Sequence, residues 1–361
     1  MGNIIPARLA DSDADYKKLK INKGEPEIWE DGLRTTGKKG EFEWWYFDSH
    51  FENGASLVTT FFTDSITSMK DGFEPRIEIR YTDADGFTVN EDLKSEHFHF
   101  SKEQCKVQIG KNLFEGNLHE YHIHLDGERF QGDVYLTGNV DPWRTGTGYI
   151  YYGDTDYFAW LPAVPEGKVK MVFQIDGISQ ELTGTGYHDH NWGNTSMINL
   201  MHHWYWGRAK IGDYQVISSY ITAQKQYGYE HFPIFLLAKG KQKIGDDYTK
   251  LTYTQSDLRY DEKTKKHYYN TLCYEYTDGN DCYRITYTAQ NILEQFYLVA
   301  GEDNFKGKVT RSLLKLKGLA PSYIRFAGDA VLEHYENKRL TETVSASAIW
   351  EMMEFGTDRD V

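Results

Sequence analysis

The segment TGYHDHNWGN, residues 185–194, gathers Tyr187, His188, Asp189, His190 and Trp192 in one short run. Two chemistries suit it. In a strand, side chains alternate between faces, so Tyr187, Asp189 and Asn191 share one face and His188, His190 and Trp192 the other. The two histidines could ligate zinc if a third ligand came from elsewhere, with His202 or His203 nearest in sequence. The same H-x-H spacing recurs at His97/His99 and His122/His124, however, and strand alternation generates it freely. No HExxH motif or cysteine cluster supports a metal site, so the reading is metal-free and cofactor-free. The second chemistry belongs to Asp189. If its face meets aromatic surroundings, burial disfavours the carboxylate and makes the group a proton donor near neutral pH. Tyr187 and the histidines could orient it. Such an acid suits protonation of a carbon–carbon double bond, because aromatic faces stabilise the carbocation that results. The alternative for Tyr187 and Asp189 is a hydrogen-bonded polar cluster that pins the end of a sheet.

Other segments could supply the aromatic wall. EWWYFD, residues 43–48, contributes Trp44 and Trp45 to opposite faces, YFAW contributes Trp160, and HHWYWGRA, residues 202–209, sets His202, Trp204 and Trp206 on one face. With His188, His190 and Trp192 these are the candidate substrate-binding residues. No G-x-S-x-G elbow is present. The GTG triplets at 146–148 and 184–186 read as hairpin turns, since neither opens a helix in a βαβ unit.

The elements that must position these residues are strands. EWWYFDSHFENGASLVTTFF reads as a hairpin turning at Asn53-Gly54, and RIEIRYTDADGFTV repeats the pattern at Asp85-Gly86. Similar units follow to the end of the chain. The expected class is all-β: two consecutive antiparallel barrels, 1–195 with an irregular lead-in over 1–38, and 196–361. Helix is expected only within 196–203 and within 310–332. The run DEKTKKH, residues 261–267, reads as a solvated hairpin tip.

Composition narrows the function classes. The 361 residues carry a net charge of −14, which repels phosphate backbones and makes nucleic acid an unexpected partner. Tyr, Phe and Trp number 27, 19 and 9, a stock suited to strands and apolar pockets. No apolar run is long enough for an integral membrane segment and no signal-peptide pattern opens the chain, so a cytoplasmic protein is expected. Three cysteines without CxxC spacing suggest neither a disulfide framework nor a zinc site. The oligomeric state has no signature in the sequence.

Four segments in order, EFEWWYFDSHFENG, GTGYHDHNWGN, HHWYWGRAK and SASAIWEMMEFG, resemble the lipocalin-like AttH and carotenoid 1,2-hydratase (hydroxyneurosporene synthase) family over residues 41–356. The resemblance implies two lipocalin-like β-barrel domains packed together and cofactor-free work on hydrophobic unsaturated natural products. It covers carotenoid hydratases, kievitone hydratases and, more distantly, fungal pericyclases that fold linear polyenes for Diels–Alder cyclisation. Carried over, the hydratase mechanism makes Asp189 the acid that protonates the alkene and Tyr187 its assistant, with Trp192 and Trp160 holding the cation or the chain. One departure bears on specificity. Phe158 stands two residues before Trp160, where the hydratases carry a histidine, which counts against carotenoid hydration in particular and leaves acid chemistry on an alkene standing.

The expectation is a cofactor-independent lyase of the hydratase type or an isomerase of the cyclase type. Its substrate would be an apolar isoprenoid, prenylated or polyene small molecule, with Asp189 as the proton donor. Two alternatives stand beside it: a pericyclase that preorganises a linear polyene, and a lipocalin-type carrier with no turnover.

Overall fold

The computed structural model describes residues 4–64, 70–298 and 319–356. Its chain separates into two units, Leu9–Met197 and a second from Ile198 onward joined by the first residues of the chain. Each is built on one curled antiparallel sheet, lipocalin-like as expected.

In the first unit the strands Thr88–Lys94, Arg76–Thr82, Ser56–Phe62 and Phe42–Phe51 form a meander, and Phe42–Phe51 then pairs with the distant strand Ile178–Gly193. The sheet continues through Asp156–Ile175, Phe130–Gly138, Glu120–Asp126, Asn112–Gly116, Lys106–Ile109 and Phe98–Phe100. Val89 near one edge and Val107 and Ile109 near the other belong to a single core with Trp45, Phe47, Phe61, Phe114 and Leu161, so the sheet wraps around its own apolar face. The turn residues behave as their types require: Gly54, Gly86 and Gly177 adopt φ of 91°, 86° and 81° between paired strands.

The second unit repeats this plan. Strand Met201–Ile211 pairs with the last strand, Arg339–Gly356, as Phe42–Phe51 pairs with Ile178–Gly193 in the first unit. Its core gathers Tyr205, Phe235, Tyr274, Tyr287, Phe326 and Trp350. Among the described residues no helix is long and apolar enough to cross a membrane.

Several expectations are corrected. The lead-in is partly ordered: Ser12 and Asp15 form a capping box that starts helix Asp13–Leu19, and a 3-10 turn follows at Ile28–Asp31. That turn is tied down by Arg144, whose Nε donates to Glu30 at 2.7 Å, and by Trp45, whose Nε1 donates to the Asp31 carbonyl at 2.9 Å. Of the helix expected at 196–203 only Met197–Leu200 is helical, because the aromatic run from Met201 is claimed by strand pairing on both sides. Of the helix expected within 310–332, residues 310–318 lie outside the described residues and the rest belongs to strand Leu319–Glu336. The GTG at 184–186 lies inside a strand, where a Cβ on Gly184 would overlap the His50 carbonyl oxygen, so close backbone approach explains that glycine. Lys266 is buried and paired with Glu354 at 2.8 Å, not solvated at a hairpin tip.

Candidate active site

Strand Ile178–Gly193 sits at the centre of the first sheet with neighbours on both sides, and its alternation is kept through the motif. On one side Asp189 faces Tyr46 and Asn191 faces Trp44, while His190 faces Trp45 and His188 faces Phe47. On the other side Trp160 is opposite Asn191 and Leu161 opposite His190. The ladder then slips between Leu161 and Val164 and again before Gly167, where Pro162 and Pro165 cannot donate to it. Trp160 is thus the diagonal neighbour of Asp189, within reach of its indole.

The resulting cluster is compact. Asp189 Oδ2 accepts from Trp160 Nε1 at 2.7 Å and from Tyr187 Oη at 2.8 Å, and Oδ1 accepts from Asn191 Nδ2 at 2.7 Å. Tyr187 is 0% exposed, Asp189 5% and Trp160 6%. Burial pushes the Asp189 carboxyl up from 3.8 to about 6, although the hydrogen bonds from Tyr187 and Trp160, the His188 charge and the Asn191 amide all pull it down. Burial and the neighbouring carboxylate hold the Tyr187 phenol well above its ordinary value, so it stays a proton-bearing donor. Rings surround the group: Trp143 meets Trp160 edge-on at 6.3 Å, and Tyr46 meets Tyr187 the same way at 6.3 Å. A proton on this carboxyl would sit on Oδ1, because Oδ2 already takes two donors.

The histidines lie on the other face, inside the core of the first unit. His188 Nδ1 is 2.9 Å from the Tyr46 carbonyl and Nε2 is 3.1 Å from Asp31 Oδ2, which also accepts from Tyr121 Oη at 2.5 Å. His190 Nε2 is 2.7 Å from Glu43 Oε1. Glu43 further accepts from the Arg34 and Thr35 amides and the Thr35 hydroxyl, at 2.7, 2.8 and 2.6 Å. His190 Nδ1 faces Asp31 Oδ1 at 3.5 Å, and neither atom has a hydrogen-bond partner. Donor atoms of Asp31, Cys105 and His188 lie within 4.8 Å of one another, the closest approach to a metal-sized cluster in this unit among the described residues. His188 Nε2 and Asp31 Oδ2 in that cluster are engaged with each other, and the Cys105 thiol donates to the Phe114 carbonyl at 3.7 Å.

The expected substrate-binding residues therefore divide. Trp44 and Trp160 share the Asp189 face. Trp45, His188, His190 and Trp192 are 0–3% exposed on the core face, where Trp45 stacks on His190 at 4.6 Å and Trp192 Nε1 donates to Tyr149 Oη at 3.1 Å. His202, Trp204 and Trp206 belong to the second unit. There the ring nitrogens of His202 and His203 approach to 2.9 Å, and burial holds His203 down to about 3. Trp204 Nε1 donates to Glu351 at 3.3 Å, and burial raises that carboxyl against hydrogen bonds from Tyr323 and Trp204. Sequence reasoning missed Asp31 and Glu43 as the anchors of the two histidines. For Glu43 a signal existed, since alternation in EWWYF puts it on the face of Trp45; Asp31, in an unpatterned segment, offered none.

Comparison with known proteins agrees with this architecture. Among curated proteins, the chain is 26% identical to hydroxyneurosporene dehydrogenase of Chlorobaculum tepidum over 215 residues, 47% of this chain and 54% of that protein. It is 29% identical over 76 residues to the quinolone epoxide rearrangement protein asqO of Emericella nidulans, 21% of this chain and 20% of that one. A 79-residue match to penF of Penicillium thymicola, with the same description, is 28% identical and covers 22% and 21%. The chain thus spans about half of the first relative and about a fifth of the other two. Among solved structures, CghA aligns with a TM-score of 0.60 at 11% identity over 91% of this chain and 95% of that one. AttH from Nitrosomonas europaea aligns at 0.57 and 13%, over 92% and 97%, and kievitone hydratase from Nectria haematococca at 0.53 and 11%, over 88% and 90%. At these identities the structures speak for the fold alone. The Diels-Alderase-like family model matches residues 26–300, a span that holds the 3-10 turn at Ile28–Asp31, the first sheet apart from its strand Ala7–Leu9, and most of the second. The chain belongs to the Diels-Alderase-like family, within the lipocalin-like AttH and hydratase group.

Proposed function

We propose that this protein is an enzyme of natural-product chemistry in which Asp189 is the general acid, acting on an apolar unsaturated substrate that is isoprenoid, prenylated or polyene. The observation that carries the reading is the Asp189 carboxyl itself: buried, lifted to about 6, and held by Trp160, Tyr187 and Asn191 on a face of the sheet separate from the packed core. Trp160 and Tyr187 fix Oδ2, leaving Oδ1 to carry the proton. Transfer of that proton to a double bond forms a C–H bond and leaves a tertiary or allylic cation, while the two donors on Oδ2 stabilise the new carboxylate. Capture by water, with loss of a proton from the resulting oxonium back to the Asp189 carboxylate, gives hydration; capture by an internal double bond moves the cation, and loss of a proton from it to the same carboxylate completes cyclisation. The same acid could protonate an epoxide oxygen as its C–O bond breaks, in keeping with what the names of the fungal relatives describe. No step in this scheme calls for a metal or an organic cofactor.

A second reading, favoured by the family match, is a pericyclase: the site preorganises a flexible polyene and Asp189 only hydrogen-bonds to it. The Asp189→Asn variant separates the two. General-acid chemistry predicts a fall in kcat of about 10²–10⁴ with substrate affinity retained. A variant that keeps most of its turnover supports the pericyclase and ends the general-acid reading.

A further inference from the structure

The core-side network is more than a filler of the first unit. His188 Nδ1 faces a backbone carbonyl, which can only accept, so that nitrogen carries a proton. Nε2 then faces Asp31 Oδ2 at 3.1 Å, and an unprotonated Nε2 would set a lone pair against a carboxylate oxygen. With Asp31 ionised, both nitrogens carry hydrogen, and the ring is an imidazolium paired with that carboxylate. Charge balance agrees. Asp31 is 1% exposed, and burial of its carboxylate without a compensating cation would be prohibitive, which His188 relieves; Glu43 is instead held by three donors from Arg34 and Thr35 and by His190. His188 is clamped between Phe114 and Tyr121, with ring centroids at 4.7 and 4.5 Å.

This charge is one residue from the acid. Strand alternation puts His188 on the core side and Asp189 on the other, and Tyr46, whose carbonyl accepts a hydrogen bond from His188 Nδ1–H, is the residue directly opposite Asp189. The Tyr46 contact thus fixes the proton on Nδ1 and ties the ring to the strand pair that carries the site, while Asp31 holds the charge. We infer that His188, held as an imidazolium by Asp31, is a positioning residue for Asp189: its fixed charge sets how tightly the acid holds its proton and stabilises the carboxylate left after transfer. The inference rests on the general-acid reading above. The direction of the His188 influence on Asp189, downward, is consistent with it. The groups facing His188 are Asp31 and Tyr121, with Cys105 beside them and Glu43 reached through His190. Those facing Asp189 are Tyr187, Trp160 and Asn191.

The test needs no substrate. With fluorotryptophan incorporated, fluorine NMR follows Trp160, identified by its loss in Trp160→Phe, as pH is raised from the ordinary carboxylate range past neutrality. Wild type should show a midpoint near the Asp189 value of about 6, absent in Asp189→Asn. Asp31→Asn keeps a hydrogen bond to Nε2 but removes the anion, so His188 becomes neutral and the midpoint should rise by roughly half to one pH unit. His188→Gln should move it the same way. An unmoved midpoint in a folded variant overturns the role of His188 and leaves the acid reading standing. A Trp160 signal that does not titrate in wild type, or still titrates in Asp189→Asn, counts against the acid itself. Should neither variant fold, side-chain nitrogen NMR of His188 in wild type decides: protonation of both nitrogens supports the inference and a neutral ring overturns it.

Discussion

Replacing Asp189 by Asn should change stability in a way that depends on pH with a predictable sign. The native carboxyl titrates at about 6 and the unfolded one at 3.8. Between those values the unfolded chain binds fewer protons than the native protein, so this group makes stability fall as pH rises through the window. The full difference corresponds to about 3 kcal/mol. The introduced amide does not titrate. Its oxygen can still accept from Trp160 and Tyr187, and Asn191 can turn its own amide to accept from the new NH₂, so the pH-independent cost should be only about 1 kcal/mol. Urea unfolding of both proteins, followed through the transition of the first unit at a series of pH values, gives the difference directly, and other titrating groups cancel in it. The variant should gain on wild type by up to about 3 kcal/mol from the acid end of the window to its upper end, then hold constant. Parallel curves, or a variant that loses ground as pH rises, would show an ordinary ionised carboxylate and refute the reasoning.

Two other substitutions probe neighbouring parts of the account. Trp160→Phe removes one of the two donors to Oδ2, and the falling limb of stability in the same urea series should extend upward by about one pH unit. Lys266→Met should cost about 3–5 kcal/mol by stranding the buried Glu354, whereas Lys266→Met with Glu354→Leu should recover most of it, as denaturation midpoints of single and double variants would show.

Much of this molecule is legible in its sequence because strands announce themselves with a period of two. EWWYF and YHDHNW alternate as read, and Asn53-Gly54, Asp85-Gly86 and Asp176-Gly177 turn where they should. The misreadings occur where local preference and tertiary pairing disagree. AGDAVLEHYE, residues 327–336, is rich in helix formers, yet its backbone is claimed by strands Asp281–Tyr297 and Arg339–Gly356 on either side. The helix at Asp13–Leu19 was readable from the Ser12-x-x-Asp15 box, which a short charged segment hides easily. For the site, alternation alone assigns Asp189 and the histidines to opposite faces, but it cannot say which face is the core. That depends on curl, and on Asp31 reaching the sheet from a segment with no pattern of its own.

The sharpest test of the account follows the proton. Wild-type enzyme turning over a prenylated aromatic or polyene substrate in D₂O should place one deuterium in a non-exchangeable C–H position of the product, delivered from Asp189. Product formed in D₂O without any carbon-bound deuterium would contradict proton transfer to carbon and remove Asp189 from the role assigned to it.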